Sequence, residues 1–246
     1  MKRLRADELM VTRALAPDLK EAAALIMADM VRTGTDNGVM VDKPGMLLAE
    51  DAPLTVKASK KYVSRGGLKL EGALDAFDID VAGLRCADIG ASTGGFTDCL
   101  LAHGATSVCA IDVGYGQLAH SLQVDPRVQI HDRTNIRTVE VDALGGPFDL
   151  VVADLSFIGL SQVAENIAQL VDERGQCILL VKPQFEAKRD EVGQGGIITD
   201  PAIHEQVLQG TIEALTAVGL NVLNVTDSPI KGASGNTEFL LHCRKS

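Results

Sequence analysis

The sequence is poor in aromatic residues. It has no tryptophan, two tyrosines and six phenylalanines in 246 residues, so any phenylalanine near a candidate site is notable. It also lacks long apolar runs: the longest is the seven-residue "AAALIMA" at 22–28. A membrane-spanning helix needs roughly 20 such residues, so none is expected. The opening "MKRLRADELM" is basic without an apolar stretch, which does not match a secretory signal. The five cysteines (86, 99, 109, 177 and 243) contain no CxxC pair. Reduced thiols in a cytoplasmic protein are expected, rather than a disulfide framework or a zinc site. No basic excess is present either: the formal net charge is −10, which argues against general nucleic-acid binding.

The charge is uneven along the chain. Residues 1–61 hold ten Lys/Arg against nine Asp/Glu, and residues 62–246 hold 13 against 24. Any RNA contact must therefore rest on local basic clusters. Two organisational regions separate near residue 60. In the first, "RADELMVTRAL" and "APDLKEAAALIMA" have helical spacing, the second opened by Pro17 and Asp18. Short β-like runs follow ("MVRTG", "GVMV", "LTVK"), with "DNG" at 36–38 as a hairpin signal. The expected division is a small α+β domain over 1–59, a linker over 60–65 and a larger domain over 66–246.

In the larger region strands and helices alternate, from "LRCADIG" through "TSVCAID", "RVQIHD", "FDLVVADLS" and "GQCILLVKP" to "GLNVLNVTD" and "TEFLLHC". Alternation of this kind predicts a parallel α/β sheet covered on both faces. The last two strands are joined by only about nine residues, "SPIKGASGN", too few for the crossover that parallel neighbours need. The final pair should be antiparallel. A seven-stranded, mostly parallel sheet with one reversed strand is the Rossmann-like architecture of class I methyltransferases.

"ADIGASTGGFTDCLL" sets a glycine-rich turn between a strand and a helix. It is neither a P-loop nor a GxGxxG dinucleotide loop, because position 92 is serine. The candidate cofactor-binding residues are Asp88, Gly90, Ala91, Ser92, Thr93, Gly94, Gly95 and Phe96, with Asp112 and Asp132 at the next two strand ends. A carboxylate at such an end can accept from ribose hydroxyls. Acidic residues along the cleft suit a cationic ligand such as S-adenosylmethionine and repel a pyrophosphate.

Further charges fall at the same edge. Asp154 closes "VVAD", Lys182 closes "LLVK", Glu238 opens the reversed strand, and Lys69 lies in the helix before the first strand. A single Lys–Asp pair is most often a solvated ion pair of little consequence. Two lysines and two carboxylates at the ligand edge are instead candidates for acid–base work.

At these residues the chain resembles a known family. "SRGGLKL", "DIGASTGGFTD", "ADLSFI", "LVKPQFE" and "GNTEF" are similar, in this order, to the TlyA group of hemolysin-named ribosomal RNA methyltransferases, within the FtsJ-like ribose 2′-O-methyltransferases. The resemblance implies a catalytic tetrad of Lys69, Asp154, Lys182 and Glu238. It also implies S-adenosylmethionine as methyl donor, no metal, and a cytidine ribose hydroxyl in ribosomal RNA as acceptor. Lys182 is expected closest to the hydroxyl, with Asp154 and Glu238 orienting the lysines and Lys69 stabilising developing charge. The N-terminal region resembles the RNA-binding domain of ribosomal protein S-four, with Arg3 and Arg5 as expected contacts. It departs from that pattern in reading Arg5-Ala6-Asp7 where relatives have Arg-Leu-Asp, and in carrying acidic Asp29 where a basic turn is usual.

Arg65, Arg133, Arg137, Lys188 and Arg189 are expected phosphate contacts, and Phe157 a base-stacking residue. Ribosomal subunits are the expected partner, with no membrane association and a monomer favoured. The rival readings are a membrane-active hemolysin, a non-catalytic ribosome-assembly factor and a small-molecule methyltransferase.

Overall fold

The alternating pattern after residue 61 builds one large sheet, and what precedes it forms a second compact unit. The computed structural model describes residues 2–34, 38–57, 61–232 and 234–246. It divides into two units, Met1–Lys60 and Lys61–Ser246. The expected end of the first domain at residue 59 and start of the linker at residue 60 lie outside the described residues, as do Asp36 and Asn37 of the hairpin signal.

The first unit comprises β1 (Arg3–Arg5), α1 (Ala6–Thr12), α2 (Leu19–Met27), β2 (Val31–Thr33), β3 (Val39–Met40), β4 (Leu47–Ala49) and β5 (Leu54–Val56). Asp18 caps α2 by accepting from the Glu21 amide at 2.8 Å. The helices bury Leu9, Met10, Ala22 and Ile26 against Val31, Val41 and Leu48. β3, β2 and β5 form one antiparallel sheet, and β1 pairs with β4 in another. The β1–β4 ribbon is absent from the sequence expectations. Its strands are three residues each and half exposed, so they carry no readable periodicity.

The second unit comprises α3 (Gly66–Phe77), β6 (Arg85–Ile89), α4 (Gly95–Ala102), β7 (Ser107–Ile111), α5 (His120–Gln123), β8 (Val128–His131), β9 (Phe148–Ala153), α6 (Ala164–Leu170), β10 (Val171–Val181), α7 (Pro183–Glu186), α8 (Pro201–Ala217), β11 (Leu220–Asp227) and β12 (Phe239–Lys245). The strands form a seven-stranded sheet in the order β11-β12-β10-β9-β6-β7-β8. β12 runs antiparallel to both neighbours, and the other pairings are parallel. The reversed strand lies one in from the edge: α8 carries the chain past a slot, and the short return from β11 fills it.

Central strands covered on both faces read as continuous apolar runs, and the two faces take alternate residues. Along β9, Val151 and Ala153 pack with Ile167 and Leu215 on one side. Leu150 and Val152 pack with Leu70, Leu74 and Leu100 on the other. All five cysteines are buried and unbridged, and burial pushes the Cys86, Cys99 and Cys109 thiols up to about 12.

Candidate active site

Parallel strands end at a common edge, and there the chain leaves its hydrogen-bonded core and turns polar. β6 hands over to Gly90, β7 to Asp112, β8 to Asp132, β9 to Asp154 and β10 to Lys182. The reversed β12 begins at that edge, and the register Val181↔Phe239 sets Lys182 beside Glu238. Pro183 does more than end β10. It is the first residue of α7, where a missing N–H is tolerated and its fixed φ suits the helix.

The four tetrad residues resolve into two ion pairs. Lys69, carried on the buried face of α3, donates its Nζ to Glu238 Oε2 at 2.5 Å. Lys182 Nζ lies 2.5 Å from Asp154 Oδ1 and donates to Ser156 Oγ at 2.9 Å. The pairs differ in exposure: the Glu238 side chain is 3% exposed and that of Asp154 is 22%. Both lysines therefore reach a cavity, but Glu238 lies behind Lys69 in the core whereas Asp154 opens to the cavity itself.

That cavity, of about 240 Å³, is lined by Lys69, Asp154, Ser156, Lys182 and the loop residues Gly90–Thr93, with Gly95 and Phe96. A second cavity, of about 540 Å³, shares Gly90, Ser92, Asp154 and Ser156 with it. It adds Asp112, Gln117, Asn135 and the apolar Ile111, Val113, Ile136, Leu155 and Ile158. The loop between them needs its glycine. Gly90 sits at φ +83°, and a Cβ there would lie 2.6 Å from the Asp154 carbonyl oxygen. Asp112 fastens this loop by accepting from the Ser92 amide at 2.8 Å and the Gly114 amide at 2.6 Å.

Not every expected residue faces a cavity. Asp88 is fully buried and turned to α4, where its Oδ2 accepts from the Thr97 amide at 2.9 Å and hydroxyl at 2.6 Å. Burial pushes its carboxyl up to about 7 against those two hydrogen bonds. It lines neither cavity, so it braces the loop from behind. Asp132 also lines neither; it accepts from the Gly116 amide at 2.9 Å, and Thr134, Asn135 and Ile136 take the wall instead. Gly94 is buried between Leu118 and Leu122.

Among the expected RNA contacts, Arg65 lines the smaller cavity and Arg137 the larger. The Arg133 guanidinium lies 4.3 Å from the Tyr115 ring centroid. Phe157 lines the larger cavity, is 92% exposed and holds φ +68°, a strained conformation for an aromatic residue. Its ring tilts against Phe185 at 5.6 Å. Lys188 lines a separate cavity with Glu186 and Gln206, and Arg189 is exposed beside it. In the first unit Arg3 is exposed, and Arg5 is held by Asp7 at 2.6 Å. That hydrogen bond holds the Asp7 carboxyl below its usual range.

Ser156, Gln117 and Lys231 line the cavities without having been singled out from the sequence. Ser156 had a signal, two residues beyond a strand-closing carboxylate. Lys231 has none, because its irregular loop carries neither periodicity nor a motif. Among the described residues no cluster of three or more potential metal ligands occurs, and no helix is long and apolar enough to cross a membrane.

Comparison with known proteins agrees with this fold. The family model for FtsJ-like methyltransferases matches residues 62–245. The chain is 44% identical over 245 residues to the 16S/23S rRNA (cytidine-2′-O)-methyltransferase TlyA of Mycobacterium tuberculosis, covering 99% of this chain and 90% of that protein. It is 39% identical to Hemolysin A of Brachyspira hyodysenteriae, covering 97% and 99% respectively. A solved structure of a hemolysin-named protein from Streptococcus thermophilus matches all of this chain and 90% of that one, with 41% identity and a TM-score of 0.74.

Proposed function

The chain belongs to the FtsJ-like methyltransferase family, and from that premise we propose that it methylates a ribose 2′-hydroxyl of cytidine in ribosomal RNA, taking the methyl from S-adenosylmethionine. One observation carries the reading: Lys182 and Asp154 open into a cavity that joins a second, larger one across the glycine loop. The larger cavity fits an adenosyl group by its donor set. Apolar Ile136, Leu155 and Ile158 line it together with the Asp112 carboxylate, whose oxygens keep lone pairs for ribose hydroxyls.

S-adenosylmethionine, when bound, supplies a methyl group already activated on a sulfonium, so the reading calls on no metal. The work left to the chain is positioning the acceptor and managing its proton. Lys182 holds the acceptor hydroxyl, either taking its proton or steering its lone pair. Asp154 and Ser156 fix the position of Lys182 Nζ. Glu238 fixes Lys69, whose charge stabilises the oxygen as its proton leaves. Phe157 offers an exposed ring to a base turned out of the RNA, and Arg65, Arg133 and Arg137 offer charge to its phosphates. The reading implies a cytoplasmic protein.

The test is mapping of ribose methylation, by primer extension at limiting nucleotide, on RNA from both ribosomal subunits treated with protein and cofactor. New stops at a cytidine are expected; no stop in either subunit's RNA overturns the reading. The first unit is assigned the role of RNA anchor. Deleting residues 1–59 should reduce subunit methylation at least tenfold and leave cofactor affinity within about twofold, since docking is removed and chemistry is not. A truncated protein methylating subunits at the full rate would refute the anchor. The hemolysin names of relatives suggest membrane activity, and a liposome-leakage assay on the purified protein decides that separately.

A further inference from the structure

Four cations line the smaller cavity: Arg65, Lys69, Lys182 and Lys231. Two are matched by carboxylates, Lys69 by Glu238 and Lys182 by Asp154. Arg65 and Lys231 pair with no carboxylate among the described residues. In a chain of net charge −10, two unmatched positive charges on one cavity wall make a local field that selects an anion.

Their placement is braced. The Arg65 guanidinium donates to the Lys231 carbonyl oxygen at 2.9 Å, tying the start of α3 to the loop between β11 and β12. That loop is closed by the Ser228 amide on the Glu238 carbonyl at 2.8 Å and the Gly232 amide on the Asn236 carbonyl at 3.0 Å. The buried Asn236 side chain accepts from the Ile198 amide at 2.9 Å and donates to the Gly196 carbonyl at 2.8 Å. Gly232 lies so close to the tetrad that a Cβ on it would sit 2.4 Å from Glu238 Oε1. The loop that carries Glu238 into the core therefore also carries Lys231 to the rim.

Resting on the methyltransferase reading above, we propose that Arg65 and Lys231 clamp a backbone phosphate of the RNA beside the ribose that receives the methyl group. The reaction brings two kinds of anion to this cavity, the carboxylate of the cofactor and the phosphates of the RNA. Depth distinguishes them. Lys69, Gly95 and Phe96 are buried on the cavity floor, whereas Arg65 and Lys231 are exposed at its rim, where a polymer backbone passes. An arginine can take two phosphate oxygens at once, and the neighbouring lysine adds a point charge.

The test compares wild type, Lys231→Ala, Arg65→Ala and Lys231→Arg. It measures methyl transfer to purified ribosomal subunits over a range of subunit and salt concentrations, and S-adenosylmethionine binding by calorimetry. Each alanine variant should raise the half-saturating subunit concentration by about 5–10-fold and lower the log–log salt slope by roughly one. Lys231→Arg should stay within about twofold of wild type, and cofactor affinity should be unchanged in all. Unchanged half-saturation and salt slope in Lys231→Ala would overturn the clamp. A tenfold loss of cofactor affinity would also overturn it, by assigning the pair to the cofactor's carboxylate. A wild-type protein that methylates no ribosomal RNA would instead refute the underlying reading, so the two failures are told apart.

Discussion

The two ends of the large sheet use the same residue types in opposite ways. At the end where β6–β10 start, charged side chains are spent on nearby backbone and on each other. Asp149 accepts from the Arg85 amide at 2.8 Å, Arg85 donates to the Gly145 carbonyl, Lys245 donates to the Val171 carbonyl at 2.7 Å, and Arg127 grips Asp125 at 2.7 Å. At the end where they stop, Lys182 and Asp154 face a cavity and Asp112 borders another. Charge that closes loops is structural, and charge that lines a cavity remains available to a ligand.

The largest effect is expected at Lys182. Lys182→Ala should keep cofactor binding and the fold, because the Asp154 side chain it leaves behind is partly exposed (22%) and borders the cavity. It should lose about 10²-fold or more in single-turnover methyl transfer if the lysine takes the proton. Lys182→Arg should then fail as well, since a guanidinium stays protonated. Full activity of a stable Lys182→Ala protein would move this pair to the structural side of the comparison. Full activity of Lys182→Arg alone would leave it at the site but reduce its role to charge.

Next comes Asp112. Asp112→Ala removes both the clasp on Ser92 and Gly114 and a charged acceptor in the larger cavity. S-adenosylmethionine binding should weaken by about 1–3 kcal/mol in calorimetry. Unchanged affinity would make Asp112 a loop fastener only, like the charges at the opposite end of the sheet.

Much of this contrast is legible in the sequence, and the limits are physical. Strand ends are marked by apolar runs stopping on Asp154 and Lys182, and the nine-residue return announces the reversed β12. Sheet order is not local, so nothing in the chain near β12 says that it inserts between β10 and β11. Asp88, Asp112 and Asp132 look alike as acidic residues at or near strand ends. Yet Asp88 precedes Ile89 within β6 and turns into the core under α4, and only packing reveals that. Lys231 sits in an irregular loop without periodicity, and its meaning comes from the Arg65 contact 166 positions away.

Asp88 allows the comparison to be sharpened by pH. Its ordinary carboxyl value is 3.8, and burial raises it to about 7 in the folded protein. A raised carboxyl favours the folded state fully at acid pH, and that contribution is lost as pH rises from about 4 through 7. Asp88→Asn cannot ionise, so its stability relative to wild type should improve by on the order of a few kcal/mol between pH 5 and pH 8 in denaturant titrations. A difference independent of pH would mean that Asp88 stays charged in the folded protein.

The smallest effect is expected at the opposite end, and its sign is reversed. The Arg127 hydrogen bonds hold the Asp125 carboxyl below its ordinary value of 3.8. A depressed carboxyl stabilises the fold above that value, and the contribution is lost as pH falls through the lower one. The pair is partly exposed, with the Arg127 side chain at 45%, so solvent screens most of it. Arg127→Ala should therefore cost no more than about 1 kcal/mol at pH 7, and progressively less below pH 4, when wild type and variant are compared by denaturant unfolding. Methyl transfer should not change, because neither residue borders the joined cavities. A loss of activity at constant stability would show that charge at this end also reaches the chemistry, and the distinction between the two ends would fail.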